Sequence, residues 1–138
     1  MPLPKSSESH ENYLKHIGEL IANKGYARVT DIAGLMKIRP ASVTIMVKRL
    51  EQLGFVKREH YRGLSLTAAG EKVSRNVATR HDVLVELLEL LGLSSEVIEH
   101  DVDGLEHHLS DETLKAMRTL VVSLKRQKVK VAGMVKRF

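Results

Sequence analysis

The chain has 138 residues, of which 43% are hydrophobic and none is cysteine. This size allows one ordinary core or two small ones, and the absence of cysteine excludes disulfides and thiolate metal sites. No run approaches the roughly 18 apolar residues of a membrane span. The N-terminal MPLPKSSESH lacks the apolar segment of a secretory signal, so we expect a cytoplasmic protein without a membrane partner.

Charge is distributed unevenly along the chain. Residues 1–76 carry 13 Lys and Arg against 7 Asp and Glu, whereas residues 77–112 carry 10 acidic residues against one arginine. Residues 113–138 carry 8 basic residues and no acidic one. A basic N-terminal segment suits a polyanion, and an acidic middle suits a cation. The pattern therefore predicts nucleic-acid binding at one end and a metal site in the centre.

The N-terminal apolar pattern predicts three helices, the last two of which form a helix-turn-helix. Gly25 closes the first helix, Thr30 is the candidate N-cap of the second, and Pro40 precedes the third as its opening residue. The predicted ranges are about 7–23, 31–36 and 41–53. The third helix places small hydroxyl residues before basic ones, which is typical of a helix that reads the major groove. An ordinary amphipathic helix with a solvated face is the alternative.

The next segment favours the DNA-reading alternative. Phe55–Tyr61 and Leu64–Leu66 are predicted to form a hairpin around Arg62-Gly63, and a hairpin directly after a recognition helix is the wing of a winged helix. Its tip is well placed for the DNA backbone or minor groove. The candidate DNA-contacting residues are Arg39, Ser42, Thr44, Lys48, Tyr61 and Arg62.

The C-terminal half is predicted to be helical. A helix from Ala68 to about Leu91, some 36 Å long at 1.5 Å per residue, can leave the first domain and enter a second. A further helix begins at Ser94 or Ser95, and Ser110-Asp111 caps the final helix. Its predicted inward residues are Leu114, Met117, Leu120, Val121 and Leu124. The basic tail over residues 125–138 is a last helix or a loose arm near DNA phosphates.

Asp103, Glu106 and His107 have a spacing that suggests a metal site. In a helix they stand at i, i+3 and i+4, on one face. Two adjacent carboxylates repel unless a cation lies between them, and oxygen with imidazole donors suits manganese, iron or zinc. The alternative is a solvated acidic face with chance histidines. His81, alone in the middle of its helix, is by itself more typical of a structural histidine.

Several short motifs in their order resemble the DtxR/MntR family of metal-dependent bacterial repressors, in particular its short manganese-transport-regulator branch. They are Lys24-Gly25-Tyr26-Ala27-Arg28-Val29, Asp31-Ile32-Ala33, Ser42-Val43-Thr44, Tyr61-Arg62-Gly63-Leu64, Leu66-Thr67, Arg80-His81, Asp103-Gly104 and Glu106-His107-His108-Leu109-Ser110. The resemblance implies a mainly α protein. A winged helix-turn-helix over residues 1–74 is followed by an all-α metal-binding and dimerisation domain over residues 75–138.

The resemblance further implies a homodimeric repressor of metal-homeostasis genes. A divalent transition metal, manganese first with iron or zinc as alternatives, would fix the spacing of two recognition helices on a palindromic double-stranded operator, about 34 Å apart. Carried over by position, the metal ligands are Asn12, His81, Asp103, Glu106 and His107.

The chain departs from the manganese branch chiefly at Lys15. This lysine falls where the branch has a glutamate shared between two metals, so a binuclear manganese site is not expected. In an alternative reading, the Lys15 ammonium takes the metal's place between Asp103 and Glu106, giving a metal-independent winged-helix regulator. A metal-dependent hydrolase is a remote alternative, because no nucleophile or phosphate loop accompanies the donors. We therefore do not expect an enzyme.

Overall fold

A computed structural model describes residues 7–61 and 63–127 of the chain. One compact unit ends at Asn76 and a second begins at Val77. The helices and strands follow the order α1 (Glu8–Lys24), α2 (Val29–Met36), α3 (Pro40–Gln52), β1 (Val56–Glu59), β2 (Gly63–Leu66), α4 (Ala68–Leu90), α5 (Ser95–Leu105) and α6 (Asp111–Gln127). This order confirms the predicted mainly α fold with a small β-hairpin.

Local signals set the ends of α1 and the start of α3. The Ser7 hydroxyl accepts the backbone N–H of His10, which satisfies one of the unpaired donors of the first turn of α1. Gly25 ends α1 in the left-handed conformation, with φ 83°. Pro40 is the first residue of α3, as predicted.

The start of α2 was predicted wrongly. The helix begins at Val29, and its N-cap is Arg28 in an extended conformation without a side-chain capping bond, so Thr30 is not the cap. The extended backbone at this point continues into a contact with the hairpin, because the Ala27 carbonyl accepts the Leu64 N–H at 2.7 Å. A contact between distant parts of the sequence therefore fixes where α2 begins.

The hairpin of β1 and β2 is anchored to the segment between α1 and α2. Its strands pair antiparallel, from Val56 opposite Leu66 to Glu59 opposite Gly63. The Arg28 guanidinium lies over the Tyr26 ring, 4.9 Å from its centroid, and its Nη2 donates to the carbonyl of Tyr61 at the hairpin tip, at 3.5 Å. The backbone contact of Ala27 with Gly63 and Leu64 and the bond from Arg28 therefore both hold the turn end of the hairpin.

A single apolar core holds the first unit together. Phe55, Leu14, Ile17, Ile32 and Leu50 are essentially inaccessible to solvent and come from α1, α2, α3 and the start of the hairpin. The helix-turn-helix therefore packs directly against α1 and the wing, and burial of about 1.5–3 kcal/mol per large side chain stabilises this arrangement.

The second unit has a smaller core of its own. Leu84, Ile98 and Val102 are buried together, one from α4 and two from α5. In α6 Val121 is buried, but Leu120, predicted to face inward, is 49% exposed.

Among the described residues, no helix is both long and apolar enough to cross a membrane.

Candidate metal centre and nucleic-acid interface

A buried carboxylate lies between two imidazoles in the helical unit. The Glu106 side chain is fully buried, and its Oε2 is 2.8 Å from Nδ1 of His81 on α4. Its Oε1 is 3.5 Å from Nε2 of His107, whose side chain is 1% exposed. The fold therefore brings together three of the predicted metal donors, although His81 and Glu106 are 25 residues apart in sequence.

The end of α5 places Glu106 and His107. The helix ends at Leu105, Glu106 is its C-cap, and the N–H of His107 donates to the carbonyl of Gly104 at 3.4 Å. Glu106 and His107 thus lie in a tightened turn after the helix. The three residues do not share one helix as predicted, because α5 ends at Leu105; Asp103 lies on α5 and is exposed, whereas Glu106 follows it and is buried.

The remaining predicted positions lie on α1, in the first unit. Asn12 is partly buried, and Lys15 is buried, with 8% of its surface exposed. A buried lysine is unusual, and Lys15 is engaged in an interaction of its own.

Arg80 braces the segment that carries Glu106 and His107. Its Nη2 is 3.2 Å from Oδ1 of Asp111, the first residue of α6. Arg80 directly precedes His81, so this ion pair ties the far end of the 106–110 segment to α4 beside the histidine. This role of Arg80 was not predicted, because only the fold brings Asp111 to it.

The donor chemistry of the cluster fits a first-row divalent ion. A buried carboxylate needs a cation or strong hydrogen-bond donors, and one carboxylate with two imidazoles is a donor set that manganese, iron and zinc accept. Within residues 7–61 and 63–127, no three His, Cys, Asp or Glu side chains already have an arrangement that could hold a metal. His81 and Glu106 instead bond to each other, and a metal would replace that bond.

The groove that the structure describes in the helical unit does not reach these donors. A groove of about 320 Å³ in this unit is lined by residues of α4 and α6, namely Thr79, Asp82, Val83, Glu86, Arg118, Val121 and Val122. None of the three donors lines it, and Glu106 is fully buried. The geometry suits a structural or regulatory ion better than the hydrolase considered from sequence.

The outward face of α3 carries most of the predicted DNA contacts. Ser42 and Lys48 are exposed, and Arg39 is the exposed N-cap of the helix. Thr44 is partly buried, and its hydroxyl donates to the carbonyl of Pro40 at 3.1 Å. Ile45, which was not among the predicted contacts, is 72% exposed on this face.

The wing tip presents Tyr61 to solvent. Its side chain is 87% exposed, and its backbone has a φ of 71°, a conformation that residues other than glycine seldom adopt. The neighbouring Arg62, also predicted to contact DNA, lies outside the described residues. The anchoring of Tyr61 by Arg28 was not predicted, because a hairpin pattern alone does not show what holds its tip.

Positive charge dominates the helix-turn-helix surface. Arg39, Lys48 and Arg49 are all exposed there. Burial lowers the pKa of His10 below its usual 6.5, and the charge of Arg49 lowers it further, so His10 is neutral near pH 7. The cations of this face are lysine and arginine side chains, which suit phosphate binding.

Two family models match successive parts of the chain. The model described as iron dependent repressor, N-terminal DNA binding domain, matches residues 5–64. The model described as iron dependent repressor, metal binding and dimerisation domain, matches residues 67–128. Together they cover both compact units.

Curated relatives and solved structures agree with this match. HTH-type transcriptional regulator MntR of Lysinibacillus sphaericus (strain C3-41) is 45% identical over 88% of this chain and 84% of the relative, and that of Geobacillus thermodenitrificans (strain NG80-2) is 44% identical over 88% and 83%. The manganese regulator SloR superposes with a TM-score of 0.72 at 26% identity, over 81% of this chain and 53% of SloR. The manganese-activated repressor ScaR, solved with bound Zn²⁺, gives 0.68 at 30% identity, over 81% and 53%. The chain thus spans about half the length of these two structures.

Proposed function

Because the chain belongs to the iron-dependent repressor family, we propose that it is a metal-responsive transcriptional repressor of metal-ion homeostasis genes. It acts in the cytoplasm as a homodimer on a palindromic DNA operator. The family consists of transcriptional repressors, not enzymes, so the hydrolase alternative is set aside. Manganese is the proposed metal because the similar protein SloR is described as a manganese regulator and ScaR as a manganese-activated repressor. Iron and zinc are the alternatives.

The observation that carries the proposal is the buried Glu106 carboxylate between His81 and His107. These three residues are the proposed core of the metal site, and Asp103 and Asn12 are proposed as further ligands from the family resemblance. When bound, a divalent ion supplies the positive charge that a buried carboxylate requires. Arg80 and Asp111 hold the segment between Glu106 and α6 against α4, which limits how far the donors can separate.

Both α3 and the wing are proposed to contact DNA. Within a domain over residues 1–74, Ser42 and Thr44 lie near base edges, while Arg39 and Lys48 contact phosphates. Tyr61 and Arg62 are the proposed DNA contacts of the wing. A helical domain over residues 75–138 pairs the two copies, so that their α3 helices meet successive major grooves about 34 Å apart.

Metal removal tests this proposal directly. An operator is first selected from random duplex DNA in the presence of Mn²⁺, and its dissociation constant is then measured with Mn²⁺ and with a strong chelator. We expect the chelator to weaken binding by about 5- to 150-fold, the range of a coupling free energy of about 1–3 kcal/mol. Fe²⁺ and Zn²⁺ in parallel rank the metals. Equal affinity in chelator would contradict metal control and favour the alternative in which Lys15 replaces the metal.

Lys48→Ala is expected to weaken operator binding about ten-fold at low salt, because it removes a charged contact to phosphate. It should weaken binding to all DNA sequences alike. The slope of log affinity against log salt concentration should fall by about one, the value for one lost phosphate contact. The measurement is a salt titration of operator binding. Lys115→Ala on α6 makes the same charge change in the helical unit and is expected to leave the salt slope unchanged. An unaltered slope in Lys48→Ala would remove Lys48 from the interface.

A further inference from the structure

Ile45 is an apolar residue at the centre of an otherwise polar and charged helix face. It is 72% exposed, whereas Val43, Val47 and Leu50 of the same helix are fully buried. The exposed residues of α3 around it are Ala41, Ser42, Lys48 and Arg49. Single exposed apolar residues are common on protein surfaces, so exposure alone assigns Ile45 no role. Its position on this helix, among polar and charged residues, points to a role.

The neighbours of Ile45 restrict what it can touch. Ser42 lies one turn before it and Lys48 and Arg49 lie one turn after it, so polar and cationic groups flank it along the helix axis. Lys48 and Arg49 on one side and the exposed N-cap Arg39 on the other favour the phosphates on either side of a groove. The residue between them is then directed to the groove floor, where the base edges lie.

An isoleucine side chain can read only one feature of the major groove. It has no hydrogen-bond donor or acceptor, and the C5 methyl of thymine is the apolar group that base pairs present there. Isoleucine is also β-branched, so in a helix its side chain is nearly fixed at χ1 and loses little freedom on contact. Thr44, the adjacent residue, directs its hydroxyl to the carbonyl of Pro40, so its hydrogen is already used within the helix.

We propose that Ile45 is a specificity-determining residue that contacts a thymine methyl group in each half-site of the operator. This inference rests on the proposed function, because it requires α3 to lie in the major groove. It predicts an operator whose affinity depends on one methyl group at a fixed position in each half, and a protein that loses this dependence when the side chain is shortened.

Methyl-deletion scanning of the operator tests the proposal. Each thymine of the selected operator is replaced in turn by deoxyuridine, which removes the methyl and leaves base pairing intact. At one position per half-site we expect the dissociation constant of the unmodified protein to rise about four-fold, the value of one buried methyl group. Replacement in both half-sites should give about sixteen-fold. Ile45→Ala should bind the thymine and deoxyuridine operators equally at that position.

Two controls separate this result from a folding defect or a general loss of binding. Ile45→Ala should keep the thermal stability of the unmodified protein, because its side chain is largely solvated. Leu35→Ala, which shortens an exposed apolar residue on α2 (44% exposed), should keep the full sensitivity to deoxyuridine. If Ile45→Ala retains the same sensitivity to deoxyuridine as the unmodified protein at every thymine, the inference is overturned. In that case, metal-dependent operator binding by both proteins leaves the proposed function intact. Failure to select any metal-dependent operator would overturn the proposed function as well.

Discussion

Glu106→Gln is expected to lower the affinity of the protein for Mn²⁺ by about 100-fold or more. The glutamine has nearly the same shape but carries no charge, so a bound divalent ion would lose the negative charge of the fully buried Glu106 carboxylate. Changes to residues that only support a metal ligand already cost about 10- to 100-fold, and loss of a charged donor is expected to cost at least as much. Titration calorimetry of metal binding measures the change.

Thermal unfolding gives an independent measure of the same substitution. Metal at 100 times its dissociation constant stabilises the unmodified protein by about 2.7 kcal/mol, and at the same concentration a 100-fold weaker variant gains only about 0.4 kcal/mol. Without metal, the stability of Glu106→Gln should change little, because the glutamine amide can still hydrogen-bond to His81 and no longer carries the desolvation cost of a buried charge. A large loss of stability without metal would instead mark Glu106 as a structural residue.

The matched control for Glu106→Gln is Glu86→Gln. Glu86 lies on α4 of the same unit, and its Oε2 pairs with Nζ of Lys125 at 2.9 Å, so it makes the same chemical change away from the imidazoles. We expect it to leave Mn²⁺ affinity within about two-fold, the scale of a surface ion pair. Equal losses in the two variants would attribute the effect to the net charge of the acidic segment and not to a ligand.

Gly63→Ala is expected to destabilise the protein by about 3 kcal/mol and to weaken operator binding through the wing. Gly63 has a φ of 78°, which costs an alanine about 1–2 kcal/mol. A methyl group there would also overlap the carbonyl oxygen of Ala27, the acceptor for the Leu64 N–H. The hairpin must therefore move away from the α1–α2 segment. Urea denaturation and operator affinity measure the two effects.

Gly54→Ala separates strain from steric overlap. Gly54 has nearly the same backbone conformation, with φ 82°, but a methyl group there would meet nothing within 4 Å. We expect it to cost only the conformational part, about 1–2 kcal/mol, with operator affinity retained. If the two alanine variants are equally stable, the close approach of the wing to Ala27 has no energetic importance.

The sequence predicted those features that local chemistry determines. The glycine at the end of α1, the proline at the start of α3 and the serines at the starts of α5 and α6 act through their own backbone neighbours, so their effect is visible in a short window. The start of α2 was misplaced, because Ala27 pairs with a strand whose contact the window does not include.

The arrangement of the candidate metal donors differs from the one predicted from sequence. Helical spacing put Asp103, Glu106 and His107 on one helix, but α5 ends at Leu105, and packing buries the side chains of Glu106 and His107 while Asp103 stays exposed. The bond between Glu106 and His81 is a tertiary contact, for which periodicity has no signal. Similarly, the apolar pattern of α6 marked Leu120 as inward-facing, although within this chain its side chain is half exposed.

The unequal cores of the two units have a consequence for the life of the protein in the cell. Within residues 77–127, Leu84, Ile98 and Val102 form a small core in the helical unit, whereas the first unit encloses a much larger one, and a small core stabilises a domain less. Folding of the helical unit would then be coupled to association with a second copy, and mass action makes its stability depend on protein abundance. At low expression a cell would lose repressor to proteolysis as well as to dissociation, so the onset of repression would be steeper than operator affinity alone dictates.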